Sequence, residues 1–196
     1  MGKRIFDIIF SFLGLLFLFP IFIIVSIFIV IDSKGGVFYI QKRVGKNGVE
    51  FDLFKFRTMG TGADQKGLLT VGNNDSRITK VGYYLRKYKI DELPQLFNVL
   101  IGSMSFVGPR PEVKKYVDLY TEDQKQVLAV QPGITDYASI KYFNENELLA
   151  KSKTPEETYV NEILPAKIQL NKKYIADKSI ATDCIILFRT FLKFFN

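Results

Sequence analysis

The chain has 196 residues, with 27 Lys+Arg against 20 Asp+Glu and a formal net charge of +7. That length holds one domain, or a smaller one with a membrane element, and 47% apolar against 24% charged residues excludes a disordered chain. Histidine is absent and Cys184 is the single cysteine, which removes Ser-His-Asp and Cys-His catalysis, HExxH zinc chemistry, intramolecular disulfides and multi-cysteine metal sites, and suits a reducing cytosolic setting.

From Ile5 to Ile31 almost every residue is apolar, and Asp7 carries the only charge. About 20 apolar residues suffice to enter a bilayer. Lys3 and Arg4 would suit the start of a signal peptide, but the run exceeds the usual hydrophobic region and no A-x-A-like cleavage site follows. A core helix is disfavoured because the run is apolar all round, without a polar stripe. Pro20 removes a backbone hydrogen bond near the middle and is expected to kink the helix. Basic residues flank both ends, Lys3 and Arg4 before and Lys34, Lys42, Arg43 and Lys46 after, and both flanks favour the cytoplasm. A helix bent at Pro20 that enters and leaves through one leaflet meets that preference; a single span with its short N-terminus outside is the alternative. Either way, the rest of the chain is expected on the cytoplasmic side.

The body begins with strand-like Val37–Gln41, a turn at Gly45–Gly48 and a second strand, Phe51–Phe56, predicting a hairpin. Residues 60–74 are rich in Gly, Asp and Asn and read as a mobile loop. Ile78–Lys89 has helical spacing, and Pro94 starts a helix over Gln95–Ile101 that Gly102 stops. Gly108-Pro109-Arg110-Pro111 is a rigid turn. Helices are expected over Glu112–Tyr120 and, capped by Thr121, over Glu122–Val130. Pro132-Gly133 breaks the chain. A long helix spans Pro155–Asp177 from a Thr154 cap, kinked at Pro165. Ile180–Phe195 reads as an interfacial helix with basic groups toward lipid headgroups, or as a terminal helix packed on the core. The fold class is α+β, mostly helical, with a small β-hairpin.

Three features could carry chemistry. Asp91-Glu92 precede a helix start, where acidic residues complement the helix dipole. Alternatively, one carboxylate is a nucleophile or base and its neighbour holds a metal. Lys55, Arg57, Arg77, Arg86 and Arg110 are each ordinary surface cations when taken singly, and together could clamp a diphosphate. Arg110 between Pro109 and Pro111 is fixed in direction. There is no P-loop, no GxGxxG, no RNP-like motif and no zinc-finger spacing, so no nucleic acid partner is expected.

These residues are familiar as a set. Asp75-Ser76-Arg77-Ile78-Thr79-Lys80-Val81-Gly82, Leu85-Arg86, Ile90-Asp91-Glu92-Leu93-Pro94-Gln95-Leu96 and Asn98-Val99-Leu100 follow one another. Gly102-Ser103-Met104-Ser105 and Val107-Gly108-Pro109-Arg110-Pro111 complete the stretch. Lys3-Arg4-Ile5-Phe6-Asp7, Gln41-Lys42-Arg43-Val44-Gly45, Phe54-Lys55-Phe56-Arg57-Thr58-Met59, Pro132-Gly133-Ile134-Thr135, Tyr174, Ser179 and Asp183 fit as well. The chain resembles the bacterial sugar transferases, the monotopic phosphoglycosyl transferases that start surface-glycan assembly on a polyprenyl phosphate.

The resemblance implies a re-entrant membrane helix over residues 1–33, broken near Pro20, and a catalytic domain over 34–196 with interfacial helices on the cytoplasmic face of a bacterial inner membrane. It implies the minimal catalytic form, without the extra transmembrane helices of larger relatives. Asp91 would attack the β-phosphate of a UDP-sugar, UMP would leave, and polyprenyl (undecaprenyl) phosphate would take the phosphosugar from the enzyme. Glu92 would bind Mg²⁺, while Lys55, Arg57, Arg77, Arg86 and the Pro109-Arg110-Pro111 turn would contact phosphate and nucleotide. A carboxylate nucleophile needs no base, which agrees with a chain lacking histidine.

Two positions depart from the pattern. Phe19 stands where the family often has a small Ser before the proline. Asp136–Tyr142 replaces the usual segment after Pro132-Gly133-Ile134-Thr135, which leaves the sugar open. Polyprenol length, glycan pathway and oligomeric state, a homodimer included, are open too. A catalytically silent membrane scaffold is the alternative function, against which the intact Asp91-Glu92 pair stands. A multi-span translocase would need further hydrophobic stretches.

Overall fold

The computed structural model describes residues 2–63, 67, 69–72 and 75–193. Parts of the expected loop 60–74, together with Phe194 and Phe195, lie outside the described residues. Helix α1 (Gly2–Asp32) has 31 residues and a length of about 46 Å at 1.5 Å per residue. Helical structure runs through Pro20 without interruption, so the expected break is not seen there. Leu18 and Phe22, on either side of the proline, pack into one cluster with Phe56 and Leu85.

Only one stripe of α1 touches the body. Asp7, Ser11, Phe22, Val25 and Ile29 are buried and recur at helical spacing, whereas Leu16, Phe17, Phe19 and Ile31 are more than 60% exposed. So much contiguous apolar surface is unsuited to water. The helix is long and apolar enough to cross a membrane.

Both ends of α1 are tied to the same body. Lys3 donates to the Val107 carbonyl at 3.0 Å and pairs with Asp183, and Arg4 donates to the carbonyls of Val99 and Leu100. Asp7, the lone charge in the apolar run, accepts from the Ser105 hydroxyl and the Phe106 amide. At the other end, Asp32 accepts from the Val81 amide at 2.9 Å and so caps helix α2 (Lys80–Lys87) beside its N-cap Thr79.

Strands β1 (Phe38–Val44) and β2 (Glu50–Phe56) form the expected hairpin, from Phe38↔Phe56 to Val44↔Glu50. β1 runs past its expected end at Gln41 because Lys42 finds Asp52 directly across the ladder at 2.9 Å. Helix α3 (Gln95–Ile101) ends at Gly102 with φ 92°, as the glycine predicted. A second pair was not expected: β3 (Ser105–Val107) lies parallel to β4 (Gly133–Thr135). Gly108 and Gly133 make this possible, since a Cβ on Gly133 would lie 2.1 Å from the Gly108 nitrogen.

The expected helix over 112–120 shrinks to α4 (Lys114–Val117), because the Glu112 carbonyl is drawn to the Val44 amide at 2.8 Å. The next expected helix is a 3₁₀ turn over Gln124–Ala129, begun by the Thr121–Gln124 capping box. Short helices α5 (Tyr137–Lys141) and α6 (Glu145–Ala150) follow. The long helix is present as α7 (Pro155–Thr158), a π turn over Tyr159–Ile163 and α8 (Leu164–Ala176). The π turn absorbs the amide missing at Pro165, and the Thr154 hydroxyl makes no cap bond. Helix α9 (Ile180–Lys193) buries Asp183 and Ile186 on one side and exposes Ile185, Phe188, Phe191 and Leu192 on the other.

Candidate active site

Asp91 and Glu92 sit in a 3₁₀ turn between α2 and α3, entered through Lys89 in the left-handed region at φ 55°. A non-glycine residue at such a φ is strained, and the strain lies two residues from the acidic pair. α2 is pressed onto the strand end at Thr58, where a Cβ on Gly82 would come within 2.1 Å of the Thr58 carbonyl oxygen. That close approach fixes Arg86 on the same helix. β2 supplies Lys55. The turn after β3 supplies Arg110, whose amide donates to Asp136 at 3.2 Å and whose guanidinium donates to the Ile134 carbonyl at 3.2 Å.

These side chains share one cavity of about 830 Å³. The Arg110 guanidinium grips Glu92 through both carboxylate oxygens, Nη1 donating to Oε2 at 3.1 Å and Nη2 to Oε1. Lys55 Nζ lies 3.5 Å from Oε1. Burial alone would push Glu92 up, but Arg110 and Lys55 outweigh it and hold Glu92 well below the usual carboxylate range. Glu92 in turn raises Arg110. Asp91 behaves in the opposite way. It is buried, its Oδ1 has no hydrogen-bond partner among the described residues, and burial raises it despite the pull of Lys55. Two adjacent carboxylates with affinities driven apart are a mark of divided roles.

Arg86 lines the cavity and makes no hydrogen bond or ion pair among the described residues; burial lowers its pKa while Asp91 pulls the other way. Such a guanidinium is ready for an incoming anion. Lys87 and Lys89 also line the cavity, with Lys89 5.2 Å over the Phe143 ring.

Two expected phosphate contacts are placed elsewhere. Arg57 is buried at the C-terminus of α1, donating to the carbonyls of Ile29, Ser33, Lys34 and Gly36 and to the Ser33 hydroxyl. Arg77 is taken by Asp75 and by the carbonyls of Ala63, Gly67 and Leu69. Pro109 and Pro111 direct Arg110 and line a smaller neighbouring hollow of about 20 Å³, where Pro111 accepts from Arg43 and Pro109 from the Gly133 amide.

A second polar group on the cavity wall escaped the sequence reading. Glu112 accepts from the Tyr159 hydroxyl at 2.6 Å and from Lys167 at 3.3 Å, and Lys167 also donates to Glu145 at 3.0 Å. One sign of it was present: Lys167 falls at helical spacing with Leu164 and Tyr174, on the apolar side of its helix.

Among the described residues, no three His, Cys, Asp or Glu side chains gather as a metal cage. Magnesium needs no such cage when it arrives with phosphate oxygens, and commonly takes one or two carboxylates beside them. Glu92 with the unpartnered Asp91 Oδ1 fits that pattern.

Residues 1–196 match the family described as bacterial sugar transferase. This chain belongs to that family. A UDP-N-acetylgalactosamine-undecaprenyl-phosphate N-acetylgalactosaminephosphotransferase of Aeromonas hydrophila is 33% identical over 191 residues, 96% of this chain and 42% of the relative. A UDP-glucose:undecaprenyl-phosphate glucose-1-phosphate transferase of Klebsiella pneumoniae is 37% identical over 196 residues, 98% of this chain and 40% of the relative. The exopolysaccharide production protein ExoY of Rhizobium meliloti is 31% identical over 205 residues, 97% of this chain and 84% of the relative. This bacterial sugar transferase thus spans less than half the length of the first two relatives, whose names differ in their sugar.

Proposed function

We propose that this chain transfers a sugar 1-phosphate from a UDP-sugar to undecaprenyl phosphate and releases UMP, in two displacements at one phosphorus. The observation that carries the reading is Asp91 Oδ1, buried and unpartnered in a cavity walled by Lys55, Arg86 and Arg110. The Asp91 carboxylate attacks the β-phosphorus, the bond from that phosphorus to the bridging oxygen breaks, and UMP departs with the electron pair. An oxygen of the lipid phosphate then attacks the same phosphorus and restores the carboxylate. Lys55 and Arg86 offset the charge of the two phosphates, and Arg110 holds Glu92 ionised beside them. Glu92 would hold Mg²⁺, whose charge would offset that of the diphosphate. A poorly solvated Asp91 is the better nucleophile for this work.

The membrane reading follows from α1. Its ends are hydrogen-bonded to one folded body, which supports entry and exit through a single leaflet with the body on the cytoplasmic face of the inner membrane. Sugar transfer to a lipid phosphate at that face is an initiating step for a surface glycan, in keeping with relatives named for undecaprenyl phosphate.

The test is UMP release from a panel of UDP-sugars with Mg²⁺ and undecaprenyl phosphate, comparing wild type with Asp91→Asn. Release that the substitution abolishes, with a phosphosugar adduct on wild-type protein in the absence of lipid, supports the reading. Equal release by both proteins sinks it.

A further inference from the structure

The cavity has two ends of different chemistry. Around the dyad, Lys55, Arg86, Lys89 and Arg110 outnumber Asp91 and Glu92, which suits a diphosphate. At the Glu112 end both signs meet: Arg43 and Lys167 face Glu112 and Glu145, with Arg43 Nη1 3.6 Å from Glu112 Oε2, and Glu147 lines the same cavity. Glu112, Lys167 and Tyr159 are all less than 10% exposed. Buried ion pairs add little stability over apolar packing of equal volume, so a cluster of them on a cavity wall asks for a further role. The π turn that begins at Tyr159 sets its hydroxyl and Lys167 on the same carboxylate, and such turns are frequent at functional sites. Ser139 lines the same cavity, with a buried hydroxyl that has no partner among the described residues.

We propose that Glu112, Lys167, Tyr159, Glu145 and Ser139 form the subsite that recognises the hydroxyl-bearing ring of the donor sugar and selects among sugars. The inference rests on the transfer reading above and deepens it. A neutral ring bearing hydroxyls matches these paired donors and acceptors, whereas a phosphate would meet the carboxylates of Glu112 and Glu145. Position points to the sugar over the uridine. The sugar is one oxygen from the phosphorus that Asp91 attacks, while uridine lies a phosphate further on. Glu112 is two residues from Arg110, about 7 Å along an extended chain, and Arg110 holds Glu92. The subsite is therefore next to the reacting phosphorus.

The variants are Glu145→Gln and Ser139→Ala, on short helices at the cavity, with Tyr159→Phe as a milder change inside the cluster. For the full chain in detergent, calorimetry gives affinities for UDP-glucose, UDP-galactose, UDP-N-acetylglucosamine, UDP-N-acetylgalactosamine and UMP, and UMP release gives kcat/KM for each sugar nucleotide. We expect the ratio between the best and second-best sugar to change at least fivefold, with UMP affinity unchanged within twofold. Equal weakening of every UDP-sugar together with UMP would assign the cluster to uridine and overturn the proposal. Unchanged ratios with a lowered melting temperature would make it a structural cluster and overturn it too. Calorimetry reads the discrimination even in a chain that binds without turning over, so failure of the reaction and failure of the subsite are told apart.

Discussion

Glu92 and Arg110 meet as a two-pronged pair, each carboxylate oxygen facing one guanidinium nitrogen. A fork of this kind fixes orientation as well as charge, which an ammonium cannot do. Arg110→Lys should therefore keep the positive charge and still lose UMP release, on the order of a hundredfold or more. Its companion Glu92→Gln should raise the Mg²⁺ concentration needed for half-maximal rate. A lysine variant with near-normal turnover would mean that only the charge at this position matters.

Asp91 should trade stability against activity. In the fold its proton is held more tightly than the ordinary value of 3.8 allows, because burial disfavours the charge. The folded state then binds more protons than the unfolded one, and wild type loses stability as pH rises from that value through the raised one. Asn carries no charge to desolvate. Asp91→Asn should match wild type in acid and exceed it by about 1–3 kcal/mol at neutral pH, while losing the first displacement. Thermal melts from pH 4 to pH 8 check this, and a constant difference across the range would contradict it.

The same raised affinity sets a pH profile. In the proposed mechanism Asp91 attacks as a carboxylate, so the rate of adduct formation should fall with acid through a midpoint above the ordinary aspartate value. Lys55 opposes the upward push on Asp91. Lys55→Met should therefore move the acid limb to higher pH. Rates of adduct formation without lipid acceptor would show it, and an unmoved limb would place the controlling proton elsewhere.

What could be read from residues alone was local. The hairpin, the α3 stop at Gly102 and the Asp91-Glu92 turn follow from alternation, a glycine and a proline, all acting within a few residues. The β3–β4 pair joins segments nearly thirty residues apart through two facing glycines, which no periodicity announces. The site shows the same division. Lys55, Arg86 and Arg110 converge as expected, but Arg57 and Arg77 carry the same charge in equally suggestive motifs. Burial against carbonyls, which is a tertiary fact, sends those two to structural work.

Arg57 and Arg86 should accordingly fail in opposite ways. Removing Arg57 takes a donor from the Ser33, Lys34 and Gly36 carbonyls just beyond α1, and Arg57→Ala should lower stability by about 2–3 kcal/mol, or on the order of 5–10 °C, with kcat of the folded protein kept within about threefold. Arg86→Ala breaks no hydrogen bond or ion pair among the described residues, so its melting temperature should hold while donor kcat/KM falls about a hundredfold. Parallel melts and kinetics decide between these outcomes.

The placement of α1 makes a claim about topology. A helix of about 46 Å could cross a bilayer and leave its N-terminus on the far side. Crossing would have to break Lys3 from Val107 and Asp183, Arg4 from the end of α3, and Asp7 from Ser105 and Phe106. It would also carry Lys3, Arg4 and Asp7 through hydrocarbon, at about 2.5–3.5 kcal/mol for each charge at the centre. Keeping both ends on the body avoids those costs and would leave the exposed outer face of α1, with Leu16, Phe17 and Phe19, to the lipid. In a Cys184→Ser background, Gly2→Cys and Lys34→Cys should both react with a membrane-impermeant maleimide in inverted inner-membrane vesicles, and neither should react in right-side-out spheroplasts. If the residue 2 probe reacted only from the outside, α1 would be a through span, and its contacts with Val107, Asp183 and the end of α3 would not hold in the membrane.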